Sequence, residues 1–123
     1  MLHVLKHILY LAVRDFTIFN FPVLRKRRNC VYGRMFSARA INVDHRCRIQ
    51  ASLYVVGQNT RFGESPHIEC NTLIDFTGTI EAGDRLTISD EASIFTHGHP
   101  LDGAAQDWRA EPVHHSRVKI GND

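Results

Sequence analysis

With 123 residues, 43% of them apolar and 23% charged, the chain has the make-up of one globular domain, which excludes a disordered or fibrous protein. The net charge is only +2, yet the first 50 residues carry ten basic and two acidic side chains and the rest five and eleven. Three cysteines, Cys30, Cys47 and Cys70, with no C-x-x-C spacing, argue against a disulfide framework or a structural zinc site and for a reducing cytoplasm.

The opening "MLHVLKHILYLAVRDF" places Leu2, Leu5, Ile8, Leu9, Ala12, Val13 and Phe16 on one helical face and His3, Lys6, His7, Tyr10 and Arg14 on another. Lys6, Arg14 and Asp15 interrupt the apolar stretch, so the sequence predicts an amphipathic helix and no transmembrane one. Its apolar face is expected to pack on its own domain or on a sister subunit. The basic run "LRKRRN", Leu24 to Asn29, follows closely and leaves room for peripheral contact with the inner face of a membrane. It has no aromatic interleaving or recognised nucleic-acid motif, so nucleic acid is not an expected partner. Pro22 reads as a break and "RKRRNCVYGRMF" as a connector turning at Gly33. Residues 1–36 are thus expected to be a helix plus a basic connector.

From about Ile41 the composition shifts to β-branched residues, Gly, Asp, Asn and Thr. Every sixth residue from Val56 is apolar: Val56, Phe62, Ile68, Ile74, Ile80, Leu86, Ala92. A second column two residues later holds Cys70, Phe76, Ala82, Ile88 and Ile94, and an earlier one, Val43, Ile49, Val55, implies an insertion of about one residue near Gln58 to Arg61. An interval of six fits neither an amphipathic helix nor a plain alternating strand. It fits a coil of three short strands with one inward residue each, stacked into a parallel β-helix, with Gly57-Gln58 and Gly83-Asp84 at corners. The fold class expected is all-β over residues 37–123, with an excursion loop at about 100–117, "LDGAAQDWRAEPVHHSRV", which lacks the column and carries Trp108.

The run Ala82-Gly83-Asp84-Arg85-Leu86-Thr87-Ile88, then "SIFTHGHPLD" and, after the loop, "VKIGND", resembles the hexapeptide-repeat acyltransferases, in particular the galactoside and maltose O-acetyltransferase-like group. The resemblance covers roughly Ile68 to Asp123. It implies a left-handed β-helix, a homotrimer with sites between subunits, acetyl-CoA as donor co-substrate, no metal, and a sugar or glycan hydroxyl as acceptor. His99, before Pro100, falls where the family has its catalytic histidine. Asp75 in "LID" falls near an acceptor-contacting position. Relatives continue for several coils and build most of the CoA groove there, so the chain is expected to look truncated at its C-terminal end.

The chemistry suits those residues. A sugar hydroxyl must lose its proton as it attacks a thioester, and an imidazole with a pKa near neutrality is the usual general base. His97 lies two residues before His99 and shares its side in an extended chain, so both rings could line one cleft, with His99 expected as the general base and His97 as a substrate contact. Trp108 is expected to stack on the acceptor, and His114-His115 reads as a solvated loop pair. Two other classes stay open: a scaffold that trimerises without catalysis, and a metal enzyme similar to the gamma carbonic anhydrases using His67, His97 and His99.

Overall fold

The computed structural model describes residues 2–51, 53–99 and 112–123. Helices α1 (Leu2–Asp15) and α2 (Pro22–Phe36) are joined by a 3-10 turn at Thr17–Asn20, and α3 (Leu53–Asn59) lies farther on. The strands are short: β1 (Asn42–Val43), β2 (Arg48–Gln50), β3 (Thr60–Phe62), β4 (His67–Ile68), β5 (Leu73–Asp75) and β6 (Thr79–Ala82). They continue as β7 (Thr87–Ile88), β8 (Ser93–Ile94), β9 (His97–Gly98), β10 (His114–His115) and β11 (Arg117–Ile120). Three parallel three-stranded sheets, β1-β4-β7, β2-β5-β8 and β3-β6-β11, each take one strand from successive turns of the chain, and β9 pairs antiparallel with β10. The fold is therefore not all-β: helices precede the sheets and one interrupts them.

Register explains the apolar columns. Ile68 pairs with Ile88 and Ile74 with Ile94, a separation of twenty, while Val43 pairs with Ile68 and Ile49 with Ile74, a separation of twenty-five. Twenty is two more than three sixes, which is why a second column starts two residues after the first. Twenty-five is one more than four sixes. A search by sixes sees that as one inserted residue, although the longer turn in fact accommodates α3. Val55, Val56 and Gly57-Gln58 accordingly lie on that helix and not in the columns. Gly83-Asp84 is at a corner, as expected, and there the turns stack too closely for a side chain: a Cβ on Gly83 would lie 2.0 Å from Asn122 Oδ1.

The other correction concerns α2. Pro22 starts this helix, its fixed φ and missing N–H being acceptable in the first turn, and Gly33 lies inside it. Leu24, Arg28, Tyr32 and Phe36 recur every four residues and turn inward, the last three buried. α1 docks only through its C-terminal half, where Tyr10 and Val13 are buried; Leu2, Leu5, Ile8 and Leu9 stay exposed. Tyr10, expected on the polar face, is 2% exposed. None of the described helices is long and apolar enough to cross a membrane.

Helix side chains complete the backbone hydrogen bonding of the first turn. Asn29 Oδ1 accepts from the N–H of Val43 (2.9 Å), and Tyr10 Oη accepts from that of Ile49 (2.9 Å). Tyr32 Oη donates to the carbonyl of Cys47 (2.6 Å). Arg28, fully buried, donates to the carbonyls of Val13 (3.0 Å) and Val43 (3.4 Å) and to Asn20 Oδ1 (2.7 Å). Burial shifts the Arg28 guanidinium below its ordinary value. It nevertheless stays charged, since arginine starts so high. Replacing Arg28 with Met, which keeps the length and loses the donors, is expected to cost about 3 kcal/mol or more, because hydrogen bonds to charged groups contribute about 1.5–3 kcal/mol each and three acceptors lose theirs. Urea unfolding followed by circular dichroism measures it.

Candidate functional site

Asp75 ends β5 with its side chain fully buried. Oδ1 accepts the Thr77 N–H (2.9 Å) and hydroxyl (2.8 Å), and Oδ2 accepts the Thr96 N–H (2.8 Å). His97 Nδ1 lies 2.6 Å from Oδ2. The Thr96 hydroxyl is 2.9 Å from the Asp75 carbonyl oxygen and 3.0 Å from Oδ2, and accepts the Gly78 N–H at 2.8 Å. Burial alone would raise the Asp75 pKa, but the Thr77 N–H, the His97 ring, the Thr96 N–H and the Thr77 hydroxyl together outweigh it. They hold the carboxyl well below the usual carboxylate range. An ionised carboxylate can only accept, so His97 carries a proton on Nδ1, and in the neutral ring Nε2 is the acceptor.

Local sequence accounts for each member. Asp75-Phe76-Thr77 forms a turn in which the carboxylate accepts the N–H two residues on, an Asx turn. Thr96 and His97 come from the next turn, carried over Asp75 by the β5–β8 pairing. Gly78 sits where a Cβ would meet the carbonyl oxygens of Ser116 (2.2 Å) and Thr96 (2.7 Å). Ser116 in turn donates its N–H to the Thr96 carbonyl at 2.6 Å, so the corner from Asp75 to Gly78 grips the chain both before and after the excursion.

The His97 and His99 rings stand edge to face, 6.5 Å between centroids, and His97 retains 23% side-chain exposure. His115 lies opposite His97 in the β9–β10 ribbon and His114 opposite Gly98. The sequence-predicted residues Asp75, His97 and His99 thus come together. Trp108 and residues 100–111 of the excursion lie outside the described residues. His67 is elsewhere on β4, its Nδ1 3.1 Å from Asn42 Nδ2. Among the described residues no group of three or more His, Cys, Asp or Glu is arranged to hold a metal ion. Sequence reasoning missed Thr77 and Thr96. The Asp-x-Thr spacing signals the first, and only the register reveals the second.

The arrangement offers an oriented imidazole acceptor beside a second ring, on a rigid base. Because the folded carboxyl ionises below its unfolded value of about 3.9, its stabilisation is fully present above that pH and is lost as pH falls through the folded value. Thermal melts from pH 6 downward are expected to show Tm falling below about pH 4. Asp75→Asn is expected to flatten that slope and to cost about 1–3 kcal/mol at neutral pH. Comparison with known proteins finds no matching family model, no matching curated protein and no matching solved structure.

Proposed function

We propose that the protein is an O-acyltransferase that moves an acetyl group from acetyl-CoA to a hydroxyl of a sugar or glycan precursor, with the Asp75–His97 pair as its general base. The observation that carries this reading is the 2.6 Å contact between His97 Nδ1 and a carboxylate fixed by two threonines. Nε2 of His97 takes the proton of the acceptor hydroxyl as its oxygen attacks the thioester carbonyl carbon. The C–S bond breaks, the proton passes to the departing sulfur, and an acetyl ester and free CoA thiol result. The carboxylate holds the tautomer and steadies the imidazolium, as a buried acid does for a histidine base. The "GHPLD" motif singles out His99, whose ring adjoins that of His97. In this reading His99 binds the acceptor and His97 is the base.

The finer architecture belongs to the same proposal. The three parallel sheets are read as the faces of a left-handed β-helix, supported by the interval of six and by the stacked corners. Ala40, Ser65 and Arg85 enter β1, β4 and β7 with φ of 51°, 56° and 58°, and Arg46, Asn71 and Glu91 enter β2, β5 and β8 with 60°, 58° and 61°. A homotrimer is the assembly proposed, with the site in a cleft between subunits. Phe95, 56% exposed and two residues before His97, supplies an apolar surface on which a neighbouring subunit would close.

Thiol release from acetyl-CoA in the presence of a panel of sugars and glycosides tests the reading. His97→Gln is expected to lower turnover ~10²- to 10⁴-fold with acetyl-CoA affinity near normal, and His99→Gln to raise the acceptor KM with a smaller loss of turnover. The opposite pattern would transfer the base role to His99 and leave acyl transfer standing. No acceptor-dependent thiol release from the wild-type protein would sink the proposal in favour of a non-catalytic scaffold.

A further inference from the structure

Among the described residues, eleven large hydrophobic side chains are exposed, and nine of them lie between Leu2 and Val23. Leu2, Val4, Leu5, Ile8 and Leu9 leave the first turns of α1 apolar and 47–64% exposed, although an apolar helix face ordinarily packs on a core. Phe16, Ile18, Phe21 and Val23 extend the patch through the 3-10 turn to the start of α2, at 52–79%. Scattered apolar residues on a surface need no explanation, whereas a contiguous set does.

Cations accompany this patch. Val23, Lys26, Arg27, Cys30 and Arg34 recur at three- and four-residue steps and form the exposed stripe of α2, opposite the buried Arg28, Tyr32 and Phe36. Lys6, Lys26, Arg27 and Arg34 have no ion pair among the described residues. The stripe and the apolar helix share one surface: Lys6 and Leu9 of α1 line a groove together with Val31, Arg34 and Met35 of α2. Its lining combines the apolar Leu9, Val31 and Met35 with the cations Lys6 and Arg34.

We infer that this surface docks on an anionic lipid bilayer, with the first turns of α1 and the turn at Phe16–Phe21 seated among the acyl chains and headgroups and the α2 stripe facing the lipid phosphates. Charge decides the occupant. A second copy presenting the same face would set Lys6, Lys26, Arg27 and Arg34 against their like, while an anionic membrane supplies the opposite sign, and a basic amphipathic helix is the element suited to such an interface. Docking is independent of the chemistry proposed for His97.

The test is co-sedimentation of the full chain with vesicles of equimolar phosphatidylcholine and phosphatidylglycerol, against vesicles of phosphatidylcholine alone, combined with sedimentation velocity without lipid. Binding to the anionic vesicles is expected, weaker at high salt and weak on the neutral ones. Lys26→Glu/Arg27→Glu should lower partitioning by about 30-fold or more, from roughly fivefold per basic side chain near the surface. Leu5→Ser/Leu9→Ser should lower it by about tenfold or more. All four positions are exposed, so the variants keep their helical circular dichroism. Equal binding to both vesicles, or none to either, would overturn the inference. So would an oligomer that Leu5→Ser/Leu9→Ser dissociates in a protein that ignores vesicles, which would give the face to a second copy.

Discussion

Strands β1 and β2 have no strand before them, and the rest of the structure depends on how their free backbone groups are satisfied. A parallel stack that simply began there would expose a row of unpaired N–H and C=O groups, and buried ones would destabilise the end turn. The helices take the place of the missing turn. Asn29 and Tyr10 accept the N–H groups of Val43 and Ile49, while Tyr32 and Arg28 donate to the carbonyls of Cys47 and Val43. The same side chains anchor a run of rings, from Tyr10 through Tyr32 to Phe36 and on to Phe62 and Phe76, with centroids 5.2–6.0 Å apart from Tyr10 to Phe76. Removing the helical cap would therefore break polar and apolar contacts together, so helices and strands form one cooperative unit.

That coupling explains what was legible in the sequence. The inward residues Val43, Ile49, Ile68, Ile74, Ile80, Ile88 and Ile94 were visible because each turn repeats a local requirement, one aliphatic residue per face. The helix over Pro22–Phe36 was not, because its period is hidden: the position that should read apolar between Leu24 and Tyr32 is Arg28. An arginine in the buried row is tolerable only because Val13, Asn20 and Val43, distant in sequence, surround it with acceptors. Tyr10 was misassigned for the same reason. Its ring belongs to the core and its hydroxyl to the edge of β2, and one-letter patterning sees only the hydroxyl.

The site was half legible. His97 and His99 stand out as a pair, and Asp75 closes a turn whose side-chain bond is local. The contact that joins them spans 22 residues and exists because the β2-β5-β8 sheet carries each turn over the last. Composition marks histidines that could act; only the register shows which of them meets a carboxylate. The Thr77 and Thr96 bonds, together with the His97 ring, then keep the carboxyl ionised against a burial that by itself would raise its pKa.

Both insertions in the strand ladder occur at one corner, between the second and third sheets. In the first turn it holds α3, whose last residue, Asn59, donates to the Phe76 carbonyl at 2.7 Å. In the second turn the corner is only Phe76 to Gly78, and in the third it opens into the β9–β10 ribbon and the excursion before the chain returns as β11. The tight middle corner is thus bonded to the insertion on either side of it. A long loop gains freedom with length, but one rooted at both ends on a rigid corner keeps its first and last residues fixed. His97, one residue beyond Thr96, inherits that rigidity while its side chain keeps 23% exposure. The ladder thus fixes His97 through the corner beneath it, and not through the strand that carries it alone.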